Sequence, residues 1–335
     1  MPASRTPHSH DVVTIGAAVI DLYATSPAFE LSRKPGAPDG WNASVPLGAK
    51  LELSDLIMET GGGATNTAVT FSRLGLRTAA VCRVGKGLNG DFVVRRLKEE
   101  KIDATCVQRD GSHHTGQSII LVAGAGFRTI LVHRGASEEL DARRIPWGRL
   151  SPRWFYATSL AGDLGTISLM LDRAERVGSR VAWNPGMHEL EKGLKHLAPL
   201  LRRTDVLILN REEAALLTHK PKRHLKDILS TLGELPKIAL LVSDGDNGAY
   251  LTSRGCTWYS PSLPGARVNT TGAGDALGSG FVAAFLETCD PALALQIGML
   301  NAFGVITHMG AHAGILKTWP TMKEVKRVKL KPPAF

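Results

Sequence analysis

Short, continuous apolar runs recur along this chain with helical stretches between them, and that alternation limits the fold more than any other feature. Val12 to Ala18 is the first such run, unbroken by charge and ending in small residues. A strand buried on both faces of a parallel sheet reads this way, because neither face alternates with water. Arg77 to Val84, Trp154 to Ser159, Val181 to Trp183, Val206 to Leu209 and Ile238 to Val242 read as further strands. Helical spacing appears at Ala64 to Leu74, with Gly75 as its stop, at Phe92 to Glu100 and at Ser168 to Val177. An α/β three-layer sandwich, its mostly parallel central sheet flanked by helices, is the economical architecture.

Two segments leave this rhythm. Gln117 to Ala123 and Arg128 to His133 are β-rich and joined by Gly124, Ala125 and Gly126, which is a hairpin signal. Asp21 to Thr60 is rich in Pro, Gly and Ser and has no sustained helical period, so it reads as short strands and loops. The expectation is one domain over 1–335 carrying a small β-sheet lid built from segments near 21–60 and 112–135. Such a lid would exclude water from a reaction beneath it.

Composition removes several classes of function. The apolar runs, such as Ile238 to Val242, fall well short of the roughly 20 residues that a membrane helix needs. The opening MPASRTPHSH is polar and leads into no signal sequence, so a cytoplasmic location is expected. Cys82, Cys106, Cys256 and Cys289 lie far apart, without the spacing of a zinc site or disulfide framework, and read as reduced thiols. The net charge of +9 is concentrated partly in Lys323 to Lys331, which reads as a last strand or tail. No nucleic-acid motif accompanies it, so it implies a general attraction for anionic nucleotides rather than a nucleic-acid partner.

The segment most specific for chemistry is Val268 to Phe285, VNTTGAGDALGSGFVAAF, where a polar turn passes through Gly-Ala-Gly into a helix of small and apolar residues. The backbone amides of Gly272, Ala273 and Gly274 would converge at a helix N-terminus, where the aligned peptide dipoles favour an anion. Asp275 lies in the first turn beside them. A substrate hydroxyl there could give its proton to Asp275 while the amides hold a phosphate. Thr270 and Thr271 would supply capping hydroxyls, leaving Asp275 free for that work.

With this segment and GGGATNTAVTFSRLG at Gly61 to Gly75, followed by Gly85, the chain resembles the PfkB carbohydrate kinases, the family of ribokinase and adenosine kinase. The likeness runs from the first strand, with Asp21, to the helix containing Asn301. It implies a ribokinase-like fold, ATP with Mg²⁺, and a sugar or nucleoside acceptor. Gly62, Gly63, Asn66 and Asp21 would bind substrate hydroxyls; physically, glycine admits a sugar to the backbone while Asn and Asp offer paired hydrogen bonds. Asn210 and Glu213 follow a strand at the carboxyl edge of the sheet, and in the family such a pair organises Mg²⁺ and its waters. The same two residues also spell a capping box. Ser243, Gly245 and Gly248 match positions that contact the nucleotide, and Asn301 matches one lining the adenine pocket, although a satisfied core amide would look the same.

Some positions depart from the family pattern. Asn269 stands where many relatives bind a monovalent cation through an Asp, which removes the charge and argues against potassium activation. Gly87, in GKGLNG, stands where an acidic residue is usual, and Asp244 brings a negative charge beside the nucleotide that would need a cationic neighbour. Phosphate binding would rest on the Gly272 to Asp275 turn, since no GxxxxGK[ST] occurs, and Gly61 to Gly63 lacks the GxGxxG spacing of a dinucleotide-binding oxidoreductase. Within the same fold a nucleoside kinase would need an aromatic platform, for which Trp41, Phe127 and Phe29 are available. A non-catalytic sugar or nucleotide sensor is the reading from another class. An exposed edge of the small sheet would allow a homodimer through the lid.

Overall fold

A computed structural model describes residues 8–36, 40–123 and 127–333. In chain order the elements begin with β1 (Val12–Ile15), β2 (Val19–Thr25), β3 (Glu30–Arg33), β4 (Trp41–Ser44), β5 (Asp55–Gly61), α1 (Gly63–Arg73), β6 (Thr78–Val81), β7 (Arg83–Gly85) and α2 (Leu88–Glu99). The middle holds β8 (Gln108–Asp110), β9 (Gly116–Ala123), β10 (Phe127–His133), β11 (Trp154–Ala157), α3 (Leu164–Val177), β12 (Arg180–Trp183), α4 (Met187–Leu190) and α5 (Leu194–Leu201). Then follow β13 (Val206–Asn210), α6 (Arg211–Thr218), α7 (Leu225–Gly233), β14 (Ala239–Ser243), β15 (Ala249–Ser253), β16 (Cys256–Ser260), α8 (Ala273–Thr288), α9 (Pro291–Ile306) and α10 (Met322–Val325).

The central sheet has the order β16-β15-β14-β13-β12-β11-β1-β6. From β14 to β6 all neighbours are parallel, while β15 and β16 add an antiparallel edge. Successive side chains of a strand go to opposite faces, which explains the unbroken apolar runs. Val13, Ile15, Phe155 and Ala157 pack with α3, α5, α6 and α7, whereas Val12, Trp154 and Tyr156 pack with α1, α8 and α9. Helix α8 is buried on all sides from Ala276 to Leu286.

The smaller sheet has the order β10-β9-β2-β5. Its β9–β10 pair is the antiparallel hairpin expected from the sequence, with its Gly124 to Gly126 connection outside the described residues. The 21–60 excursion supplies the remaining strands and the β3–β4 pair; its residues 37–39 also lie outside the description.

Three expectations need correcting. Arg77 to Val84 is not one strand: β6 ends at Val81, and Arg83 turns into the separate β7–β8 pair, where it meets the buried Asp110 at 2.9 Å. Asp21 does not end the first core strand but sits inside β2, opposite Glu59 and Ser118 in the small sheet. The basic segment 323–331 is neither strand nor free tail. Most of α10 lies within it, and Val325 and Val328 are buried against the α9 side of the core, leaving a single bridge from Lys331 to Tyr259.

Candidate active site

The head of α8 borders a cavity on one side and meets α1 through Asn66 on the other, and its glycine-rich turn explains why. Gly272 is the N-cap in the left-handed region at φ 79°, and it makes no side-chain cap. Contrary to the expectation above, neither threonine caps the helix: Thr270 accepts from Arg128 of β10, and the Thr271 hydroxyl lies against the Tyr23 hydroxyl. Ala273 N–H turns back to Thr270 O at 3.3 Å. The amides of Gly274 and Asp275 are first-turn donors, which have no carbonyl one turn behind them.

On one side of this turn is a cavity of about 140 Å³ lined by Ser243, Gly245, Gly248, Thr270, Ala273 and Gly274, with apolar walls from Leu263, Leu277, Met299 and Phe303. Asn301 is not part of that wall. Completely buried, it donates to Thr70 Oγ1 and Ala276 O and accepts from Leu316 N, so it is a satisfied core amide joining α9 to α1 and α8. Asp244 has the cationic neighbour its position demands, with Arg211 Nη1 at 2.6 Å.

On the other side, Asn66 Nδ2 donates to Asp275 Oδ2 at 2.9 Å. Asn66 is only 5% exposed, and its amide oxygen accepts from His312 Nε2 at 2.8 Å. What Asn66 holds directly is therefore Asp275, a role that its position in the glycine-rich motif did not suggest. Burial pushes the Asp275 carboxyl above the usual range, and the Asn66 hydrogen bond partly opposes this. Asp21 is raised too, first by burial, with the Ser118 hydroxyl pulling it down and the charge of Asp275 adding to the rise. The charge of Asp275 is thus felt at Asp21.

Gly62 and Gly63 answer first to packing. Gly62 has φ +95°, and a Cβ there would meet Ala17 O at 2.5 Å; one on Gly63 would meet the Thr158 side chain at 2.4 Å. Both keep the start of α1 against the carboxyl ends of β1 and β11.

Asn210 and Glu213 form the reciprocal capping box of α6: Asn210 Oδ1 accepts from Glu213 N at 2.8 Å and Glu213 Oε2 from Asn210 N at 2.7 Å. Burial raises the Glu213 carboxyl, the Asn210 amide lowers it, and the negative charges of Glu212 and Asp275 raise it further. Asn210 pairs in register with Ser243, which brings this cap to the edge of the cavity that Ser243 lines. Asn269 accepts from Thr271 N with its amide oxygen at 3.0 Å, and its side chain also lies against the Tyr23 hydroxyl.

Residues that the sequence did not single out complete the site. His312 and Arg211 are separated from their partners by long stretches of chain, and Arg128 reaches Thr270 only because β10 folds over the turn. No local pattern could have announced these contacts.

A family model described as "pfkB family carbohydrate kinase" matches residues 9–319, and the chain belongs to that family. Membership makes it an ATP-dependent phosphotransferase whose acceptor is a hydroxyl of a sugar or sugar-like small molecule. Among curated relatives, the uncharacterized sugar kinase YegV of Escherichia coli (strain K12) is 25% identical over 94% of this chain and 92% of its own length. The fructokinase of Klebsiella pneumoniae is 28% identical over 68% of this chain and 77% of its own. The fold is shared with the adenosine kinase of Sinorhizobium meliloti, with a TM-score of 0.75 at 21% identity, covering 95% of this chain and 98% of that one. Among the described residues no helix is long and apolar enough to cross a membrane.

Proposed function

We propose that Asp275 is the general base of the phosphoryl transfer. The observation that carries this reading is its place: a half-buried, hydrogen-bonded carboxylate one residue past a glycine turn, with the cavity on one flank and Asn66 and Asp21 on the other. The acceptor oxygen forms its bond to the γ-phosphorus as the bond to the bridging oxygen of ADP breaks, and its proton passes to Asp275. The turn from Gly272 to Gly274, whose Ala273 N–H must first leave Thr270 O, and the α8 dipole stabilise charge on the transferred group. Ser243, Gly245 and Gly248 hold the nucleotide in the cavity they line. Asp21 meets substrate hydroxyls from β2 above the turn.

Mg²⁺ suits the donor set at Asn210 and Glu213. Both present hard oxygen ligands, and the carboxylates of Glu213 and Asp275 lie close enough that each raises the cost of the other's charge, which a cation relieves. Asn210 and Glu213 would hold the ion, which would supply positive charge to offset that of the phosphates.

The small sheet acts as a lid on a single kinase domain, with Arg128 reaching from β10 to the catalytic turn. On its other face Met58, Leu22, Ile119 and Leu131 stand in one cross-strand row, and Met58, Ile119 and Leu131 are exposed. A second copy of this chain would cover that row, giving a homodimer through the lid. ATP use and the free cysteines support a cytoplasmic location.

The acceptor favoured is a sugar. Trp41, an aromatic platform that a nucleoside base would require, already lies under the Arg33 guanidinium at 4.1 Å; the Phe127 side chain lies outside the described residues. The test is ADP release from ATP and Mg²⁺ across a panel of sugars and nucleosides, with Asp275→Ala as control. Substrate-dependent turnover that survives in Asp275→Ala would sink the assignment of the base.

A further inference from the structure

We infer that His312 is a positioning residue for the catalytic base, holding the Asn66 amide in the one orientation that donates to Asp275. The inference rests on Asp275 being the base and goes beyond it, because it assigns a role to a histidine that touches neither nucleotide nor acceptor.

The contacts form one chain. Thr60 Oγ1 lies 3.4 Å from His312 Nδ1, His312 Nε2 lies 2.8 Å from Asn66 Oδ1, and Asn66 Nδ2 lies 2.9 Å from Asp275 Oδ2. An amide has one donor end and one acceptor end, and an ionised carboxylate only accepts. Asn66 must therefore face Asp275 with its nitrogen and His312 with its oxygen. The imidazole must then carry its proton on Nε2, which leaves Nδ1 to accept from the Thr60 hydroxyl. With Asp275 ionised and the imidazole neutral, this assignment satisfies every group in the chain.

The imidazole is fixed at the site and kept neutral. It is 4% exposed, and its backbone carbonyl accepts from Arg73 Nη1 at 2.7 Å; Arg73 in turn forms a two-pronged pair with Glu100 at 2.9 and 2.6 Å. The charged groups around it are Arg73 from α1, Arg96 from α2 and Glu100 just beyond α2, with the Glu59 carboxyl of β5 facing its backbone. Burial, then the positive charge of Arg73, holds its pKa down to about 4, with Glu100 opposing and Arg96 assisting. Around Asp275 the facing groups are Asn66 from α1, Asp21 from β2, Tyr156 from β11 and Glu213 from α6. Of these, Asn66 is the one that donates a hydrogen bond to the carboxylate among the described residues. If Asn66 turned over, a carbonyl dipole would replace that donor, and the proton would bind Asp275 more tightly.

The test compares His312→Leu with His312→Gln, measuring ADP release over pH with D-fructose, D-ribose and adenosine as acceptors, using whichever turns over fastest. In His312→Leu the expected outcome is a fall in kcat of about tenfold, little change in KM for ATP, and an acid limb of kcat/KM moved up by about one pH unit. His312→Gln, which keeps an N–H for Asn66 Oδ1, restores the limb. An unmoved acid limb in folded His312→Leu overturns the inference. Should His312→Leu fail to fold, Thr60→Val releases Nδ1 and is expected to move the limb the same way by less; an unmoved limb there also overturns it. Ring-nitrogen NMR of the wild-type protein at neutral pH needs no substrate: a proton on Nε2 supports the inference and a proton on Nδ1 overturns it. If Asp275→Asn is as active as wild type, the base assignment itself fails; if it is inactive while His312→Leu keeps its acid limb, only the role of His312 fails.

Discussion

Arg211, the first residue of α6, places Nη1 2.6 Å from Asp244 Oδ2, and so neutralises the one carboxylate that immediately precedes the glycines of the nucleotide-side cavity. The pair is largely withdrawn from water, with side-chain exposures of 23% and 10%. Removing the cation alone leaves a negative charge facing the phosphates. Arg211→Met is expected to raise KM for ATP about tenfold with kcat little changed, and Arg211→Met/Asp244→Asn to recover most of that loss. Steady-state kinetics on the four proteins of the cycle decide it; equal KM values in the single and double variants would refute the screening role.

Asp275→Asn keeps the size and a hydrogen-bonding side chain but cannot take a proton. A drop in kcat of about 10²–10⁴ is expected, the usual worth of a positioned base. Because burial raises the Asp275 pKa and the base must be ionised, activity in the wild type should fall as pH drops through a value above the ordinary carboxylate range. A kcat/KM profile flat down to the ordinary carboxylate range would contradict this.

His312 also predicts an acid weakness of the fold. The unfolded imidazole takes up a proton near 6.5, the folded one only near about 4. Between these values the unfolded chain binds more protons, so the contribution is complete above 6.5 and is lost progressively as pH falls through about 4. At pH near 5, where most carboxylates remain ionised, the loss is about 2 kcal/mol. Urea midpoints for wild type and His312→Gln at pH near 7 and near 5 should differ in slope, the wild type losing more.

Gly278 lies one turn below the base, and a Cβ there would come within 2.3 Å of Tyr156 Oη, a buried hydroxyl without a partner. Gly278→Ala is expected to cost about 1–3 kcal/mol through overpacking. Tyr156→Phe removes both the obstacle and the unpaired hydroxyl, so it should be neutral or stabilising alone. Thermal unfolding of the pair should show the double variant above Gly278→Ala; additive losses would rule out that contact as the cause.

The exposed row on the small sheet predicts self-association. Ile119→Glu places a charge in its middle, and sedimentation should then report a monomer where the wild type is a dimer. A wild-type protein that is monomeric at all concentrations would dismiss the homodimer.

Much of this was legible from local pattern. The parallel strands announce themselves because both their faces are covered, and the capping box of Asn210 and Glu213 is a spacing of three residues that the structure reproduces bond for bond. The start of α8 was legible for a similar reason, since Gly272 supplies a left-handed cap that other residues resist. The reading failed where tertiary contacts decide. Arg83 leaves the central sheet because Asp110 awaits it on another strand, and Asn301 belongs to the core because Leu316 and Thr70 meet its amide there. A solitary histidine in a loop such as MGAHAG carries no sign of its partner some 246 residues earlier.

The enclosure of α8 from Ala276 to Leu286 has a further bearing. Any change to that helix disturbs packing on every side, whereas the small sheet has exposed side chains on one face and a long, largely exposed connection from β2 to β5 that tolerate substitution. If the small sheet recognises the acceptor and Asp275 takes the proton, as proposed, drift in sequence will accumulate at the first and be purged at the second. A lineage built on this plan would diversify in what it phosphorylates while the machinery of transfer stays almost unaltered.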